Sequence, residues 1–288
     1  MNTIGTFAPY ANSDITRNNP SCFLFLIDQS SSMASRFGNR EQGVTKAEGV
    51  AHALNNLLRN LILTCSKSDG IRDYFHVGVI GYGAMVAPAW TGALTGQELL
   101  PISFVADHYA RIVESRTTVN DLHGNPTEQT LSFPVWVEPA AQGSTPMCQA
   151  LRYTYDILAA WCLRNQTSHP PVVVHITDGE ATDGDAASEM ASLTTLQTSN
   201  GTLILFNIHL SSRRDAAPTT FPDSEENLPD DFARMLYRQA SFLTPYMRQV
   251  AWDQGTTVSE TAKAFVLNAD PTQVVLALEI GTRPGAVW

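Results

Sequence analysis

Hydrophobic positions along this chain follow two alternating rhythms. Cys22–Ile27, Pro171–Thr177 and Thr202–Leu210 are short, nearly continuous apolar runs bounded by polar or Gly-containing turns. That is the pattern of strands buried on both faces. Between them, apolar residues recur every three or four positions. Over 42–66 they form one stripe: Val44, Ala47, Val50, Ala51, Leu54, Leu57, Leu58, Leu61, Ile62 and Cys65. Such a stripe predicts an amphipathic helix, and Asp69-Gly70 predicts the turn after it. A second helix is predicted over Pro146–Leu163, with Pro146 at the favoured first-turn position and Thr145 as a natural cap.

Weaker patterns predict helices at Ser103–Ser115, Asp185–Thr198, Asp231–Gln239, Pro245–Asp253 and Pro271–Glu279. His76–Tyr82 and Met85–Trp90 read as a hairpin at one sheet edge, Leu131–Val137 as extended, and Ala264–Leu267 as a last short strand. Arg116–Thr130 is polar and turn-rich, and Ser211–Pro229 holds three prolines among mixed charges, so both read as loops.

Strand and helix in alternation predict an α/β fold: a Rossmann-like, doubly wound, mostly parallel central sheet with one antiparallel edge strand and helices on both faces. The expected organisation is an N-terminal extension at 1–18, a single domain over 19–283 with insertions near 91–142 and 211–230, and a tail at 284–288. No internal repeat or interdomain linker is evident.

Composition narrows the function classes. The chain has 288 residues and is 43% apolar, enough to bury a sizeable core. No apolar run approaches the roughly 20 residues needed to span a bilayer. The formal net charge is −10, without a Lys/Arg-rich run, which argues against nucleic acid or an anionic membrane as the partner. Cys22, Cys65, Cys148 and Cys162 lack CxxC spacing and fall mostly on expected core faces, so they read as reduced thiols. The first ten residues have neither a basic start nor an apolar secretion segment, and the expected location is cytoplasmic.

Three separated segments carry the chemistry: Asp28-x-Ser30-x-Ser32, Gly143-Ser144-Thr145-Pro146 and Ile176-Thr177-Asp178-Gly179. The first and third follow expected parallel strands and so share the carboxyl edge of the sheet, where ligands collect in open α/β folds. Carboxylates and hydroxyls together form a hard oxygen donor set. Taken singly each segment is an ordinary turn or helix start; their order after these strands is what points to a site.

In that order the segments resemble the metal-ion-dependent adhesion site of von Willebrand factor A domains, a resemblance that spans about Asn19 to Arg283. It implies that Ser30, Ser32 and Thr145 bind a divalent cation through their hydroxyls, and that Asp28 and Asp178 act mainly through coordinated water. The implied ion is Mg²⁺, with Mn²⁺ or Ca²⁺ as substitutes. The implied partner is another protein whose Asp or Glu completes the coordination. Thr177-Asp178-Gly179-Glu180-Ala181-Thr182-Asp183 looks like the TDGxPTD segment of bacterial intracellular A-domain proteins of tellurium-resistance clusters, with Ala181 in place of the proline. Glu180, Asp183 and Asp185 read as solvated or helix-capping acids rather than further ligands.

Other functions find less support. Gly81-Tyr82-Gly83 lacks a third glycine at nucleotide-loop spacing and reads as a tight turn. His76, His175 and His209 belong to no zinc motif and read as satisfied strand residues. No GxSxG elbow accompanies the serines. A Mg²⁺-dependent phosphoryl-transfer enzyme with Asp28 as nucleophile would need a second Asp at position 30, which is Ser30. A structural scaffold with a vestigial site is the remaining alternative. The expectation is therefore a non-enzymatic, metal-dependent protein-interaction module. Gln29–Glu41, Gln142–Thr145, Glu180–Gly184 and Ser211–Pro229 would form its rim, with Arg36, Arg40, Arg213 and Arg214 available to an acidic partner and Trp288 folded back on the core.

Overall fold

The computed structural model describes residues 15–37, 43–120, 126–210 and 217–283, with backbone alone at 115–120 and 126–129. Arg40, Arg213, Arg214 and Trp288 lie outside the described residues. The first half of the chain supplies β1 (Ser21–Asp28), α1 (Lys46–Cys65), β2 (Phe75–Tyr82), β3 (Val86–Pro88), β4 (Leu100–Pro101) and α2 (Ile102–Asp107). A ribbon of β5 (Arg111–Asn120) and β6 (Pro126–Val135) precedes α3 (Met147–Arg164). Then come β7 (Val172–Thr177), α4 (Ala186–Leu193), β8 (Ile204–His209) and β9 (Thr219–Thr220). The chain closes with α5 (Asp231–Gln239), α6 (Pro245–Asp253), β10 (Phe265–Leu267) and α7 (Pro271–Gly281).

The sheet has eight strands in the order β9-β10-β8-β7-β1-β2-β3, with β4 also pairing β2. β1 runs parallel to both β2 and β7, and β8 parallel to β7 and β10. The chain leaves β1 toward β2 and later returns to the other side of β1 with β7. The strand order therefore reverses between β1 and β7, the kind of switch point beyond whose carboxyl ends open α/β sheets bind ligands. The expected antiparallel strand is present as β3, and β9 supplies another at the opposite edge.

Side-chain alternation divides the core in two. Phe23, Phe25 and Ile27 face α1, α2, α6 and α7, while Cys22, Leu24 and Leu26 face α3, α4 and α5. Because both faces of β1 are apolar, hydrophobicity alone would tolerate a slipped register. A buried polar row supplies the missing specificity. Tyr82 Oη lies 2.7 Å from His175 Nε2, His175 Nδ1 lies 3.1 Å from Asn207 Oδ1, and Asn207 Nδ2 donates to the Leu236 carbonyl at 2.8 Å. With Nδ1 as the donor and Nε2 accepting from tyrosine, every member is satisfied. The row ties β2, β7, β8 and α5 together across β1.

α1 begins four residues later than the apolar stripe suggests. Thr45 and Glu48 form a capping box at its start, which leaves Val44 outside the helix and exposed. α5 and α6 occupy the spans expected of them, and α7 runs two residues beyond its expected end.

Several expectations are corrected. The helix expected over Ser103–Ser115 stops at Asp107, and the turn-rich Arg116–Thr130 belongs to the β5–β6 ribbon, paired from Arg111↔Val135 to Asn120↔Pro126. A ribbon standing off the main sheet satisfies its backbone without apolar alternation, so its polar, β-branched sequence reads as loop. The helix expected over Asp185–Thr198 ends at Leu193, where Thr194 and Thr195 turn their hydroxyls back onto the carbonyls of Ala191 and Ser192. A small hairpin, Gln197–Thr198 with Gly201–Thr202, follows. Ser211–Pro229 is not all surface loop: 211–216 lie outside the described residues, but after them β9 joins the sheet and Phe221 packs edge-on against Phe206.

Gly83 marks a close approach of three backbone segments at the carboxyl edge of the sheet. A Cβ there would lie 2.5 Å from the backbone oxygens of both Gln29 and Gln142. Gly83→Ala should therefore lower unfolding stability by about 1–3 kcal/mol, the range for overpacking. An unchanged urea midpoint with an unchanged m-value would contradict this packing.

Candidate metal centre

β1 ends in Asp28, whose side chain is fully buried, and the register Ile27↔Ile176 puts Thr177 beside it. An isolated buried carboxylate would be costly. Here Oδ1 accepts from the Ser30 amide at 2.8 Å and Oδ2 from the Thr177 hydroxyl at 2.8 Å. Burial pushes the Asp28 carboxyl above its ordinary range; the hydrogen bonds from Ser30 and Thr177 oppose that, and the charge of Asp178 adds to it.

After Asp28 the chain turns into a short 3-10 helix at Ser31–Ala34. The turn aligns Ser30 Oγ and Ser32 Oγ 2.9 Å apart, with Ser32 Oγ donating to Asp178 Oδ1 at 2.5 Å. Ser30 is buried and Ser32 exposed, so the oxygens step from the sheet edge to the surface. The other oxygen of Asp178, Oδ2, accepts from Lys46 Nζ at 2.9 Å in an ion pair whose side chains are 3% and 0% exposed.

Thr145 enters from the third segment, and backbone bonds stitch it in place. Gln142 N donates to Gln29 O at 2.6 Å, while both the amide and the hydroxyl of Ser31 reach Gly143 O at 3.1 Å. Gly143 has φ +83, and a Cβ on it would strike the Ala84 backbone at 2.6 Å, so only glycine closes this corner. On its far side, Thr145 O accepts from Thr182 N at 3.0 Å and Thr145 N donates to Thr182 Oγ1 at 3.2 Å.

The expected capping role of Thr145 is taken by another residue. Pro146 occupies the cap position without a side-chain bond, and Asp183 reaches across to accept from Cys148 N at 3.0 Å and Gln149 N at 2.9 Å. Thr145 Oγ1 thus has no hydrogen-bond partner among the described residues. Asp185 caps α4 through Ala187 N, so these two acids hold helix starts as expected. Asp28 at the end of β1 and Ser30, Ser32, Thr145 and Asp178 in the segments that follow strands or precede α3 lie at one edge of the sheet.

No protein-family model and no curated protein matches the chain. Among solved structures it is similar to the vWF domain of the type V pili tip protein Mfa5 from Porphyromonas gingivalis, at 13% identity and TM-score 0.32, over 57% of this chain and 39% of that one. It is also similar to the PilB minor pilin from Streptococcus sanguinis, at 9% identity and TM-score 0.46, over 92% of this chain and 61% of that one. The chain thus spans less than two thirds of either protein's length.

Two participants were not foreseen as such. Thr177 was noted only as part of a strand end, yet its hydroxyl bonds Asp28 and the Gly179 carbonyl together. Lys46 lies within the helix expected over 42–66, off its apolar stripe, and the sequence assigns it no role. Its one unusual sign is a cation at a helix N-terminus, where the macrodipole disfavours it. Among the described residues no group of three His, Cys, Asp or Glu comes together.

The strand histidines His76, His175 and His209 are hydrogen-bonded within the fold, as expected. His76 Nδ1 accepts from Trp161 Nε1 at 2.8 Å, and His209 Nδ1 faces Thr177 O at 3.3 Å. The four cysteines are buried and free. Burial raises Cys22 well above its usual value, Cys65 to about 12, and Cys148 and Cys162 to about 11, which leaves them unreactive thiols at neutral pH. No helix among the described residues is long and apolar enough to cross a membrane.

Burial lowers His175 and His209 to about 4. Unfolded histidine titrates near 6.5, so below that pH the unfolded chain binds protons that the folded chain refuses. This contribution to stability is complete above about pH 6.5 and is lost on acidification toward pH 4. Asp28 acts in the opposite sense, because its protonation on acidification relieves a buried charge. In Asp28→Asn, which removes that opposing effect, stability should fall by about 2 kcal/mol per histidine from pH 7 to pH 5. Equal denaturation midpoints at the two pH values would refute it.

Proposed function

We propose that this protein is a metal-dependent protein-interaction module, holding a divalent cation at Ser30, Ser32 and Thr145 with Asp28 and Asp178 behind them. One observation carries this reading: the Ser30 and Ser32 hydroxyl oxygens sit 2.9 Å apart beside Asp178. Adjacent ligands of an octahedral Mg²⁺ with bonds of about 2.1 Å are separated by about 3 Å. The donor set is oxygen only, which suits Mg²⁺ or Mn²⁺ better than zinc.

The chemistry of such a site follows from its donors. A bound cation would supply an electrophilic centre at the sheet edge. Neutral hydroxyls would leave much of its charge unquenched, while the carboxylates would orient water and hydroxyls around it. The partner that fits is a protein presenting an Asp or Glu side chain. With inert buried thiols, the protein suits a reducing compartment such as the cytoplasm.

A phosphoryl-transfer reading asks Asp28 to attack a substrate. Asp28 is buried, and both of its oxygens are committed to Ser30 and Thr177. A nucleophile needs an open approach to the reacting atom, so binding is the better-supported role.

Titration calorimetry with MgCl₂ should show saturable binding, and Mg²⁺ should raise the melting temperature relative to EDTA. Thr145→Ala should weaken the binding about 10- to 100-fold while the fold survives. Proteins retained in Mg²⁺ should be released by EDTA. Absence of any Mg²⁺ heat, together with identical melts, would end this reading.

A further inference from the structure

The Lys46–Asp178 pair has features that helix formation does not explain. Lys46 is the first residue of α1, where a cation meets the unfavourable end of the macrodipole. It is also almost wholly buried, so its ammonium has lost its hydration. Asp178 divides its oxygens: Oδ1 faces the Ser32 hydroxyl, and Oδ2 is held by Lys46 Nζ at 2.9 Å. The Lys46 amide meanwhile donates to Ser35 O at 2.8 Å, anchoring the helix start to the serine-bearing loop. A fixed positive charge therefore sits one carboxylate away from the cation-binding oxygens.

We propose that Lys46 is a built-in counter-cation that tunes this site: it holds Asp178 in place without a divalent ion and lowers the affinity for that ion. The proposal rests on the metal-site reading above. Two carboxylates and one ammonium leave the donor set one negative charge, where the carboxylates alone would leave two. A divalent ion then brings the site to a net positive charge instead of neutrality. In a buried setting, charges separated by one carboxylate interact strongly. The same surplus positive charge would favour an anionic side chain as the last ligand.

The test uses the full chain with Mg²⁺ alone as probe. Lys46→Met removes the charge and keeps much of the length, while Lys46→Arg keeps the charge. By calorimetry, Lys46→Met should bind Mg²⁺ at least about tenfold more tightly than the wild type, and Lys46→Arg within about twofold of it. In EDTA, Lys46→Met should melt at a lower temperature than the wild type, and saturating Mg²⁺ should recover a larger shift. If Lys46→Met is unfolded in EDTA, recovery of native circular dichroism on adding Mg²⁺ supports the proposal, and failure to recover overturns it. Equal or weaker Mg²⁺ binding by a folded Lys46→Met overturns the proposal while wild-type binding keeps the metal site. No binding by any of the three proteins overturns both.

Discussion

The carboxyl edge of this protein depends on one buried charge. Asp28 sits at the end of the central strand with no exposed surface, and such a group is tolerable only when hydrogen bonds replace lost water. Its two acceptors are met by the Ser30 amide from its own turn and the Thr177 hydroxyl from the neighbouring strand. The second bond exists only because β1 and β7 pair with Ile27 opposite Ile176. Satisfying Asp28 therefore shapes the serine turn, fixes the β1–β7 register and places Asp178 where Ser32 reaches it.

Around that charge the loops are braced rather than free. Backbone bonds join Gln29 to Gln142 and Ser31 to Gly143, and Thr145 is clasped by Thr182. Asp183 relieves Thr145 of capping duty by taking the first amides of α3 itself. Such bracing fixes the hydroxyl and carboxylate oxygens through contacts made by other residues, which is what preorganisation of a site requires. The polar row of Tyr82, His175 and Asn207 performs a related task deeper in the sheet, where apolar packing by itself would allow slippage.

Much of this was legible along the chain. The buried strands read clearly because both faces are apolar, and α5 and α6 because their caps and periodicity agree. Asp28, Ser30, Ser32 and Asp178 were legible because two of the three segments follow strands directly. The β5–β6 ribbon was not, since a ribbon outside the core carries no hydrophobic alternation. The expectation that Thr145 caps α3 failed because the competing cap, Asp183, is 38 positions away along the sequence and adjacent only in space. Lys46 was the largest omission: its place at a helix N-terminus is a weak sign, and burial cannot be read from a local window.

Sequence by itself determined the layering of strand and helix and the oxygen-rich chemistry at the strand ends, because these depend on local periodicity and residue type. Only the tertiary structure decided which oxygens meet, which acid caps which helix, and that a lysine ammonium stands behind Asp178. Those outcomes rest on strand order and on contacts between residues such as Ser32 and Asp178, far apart in the chain. Burial, which sets the cost of every charge at this edge, is likewise a property of the whole fold and of no single segment.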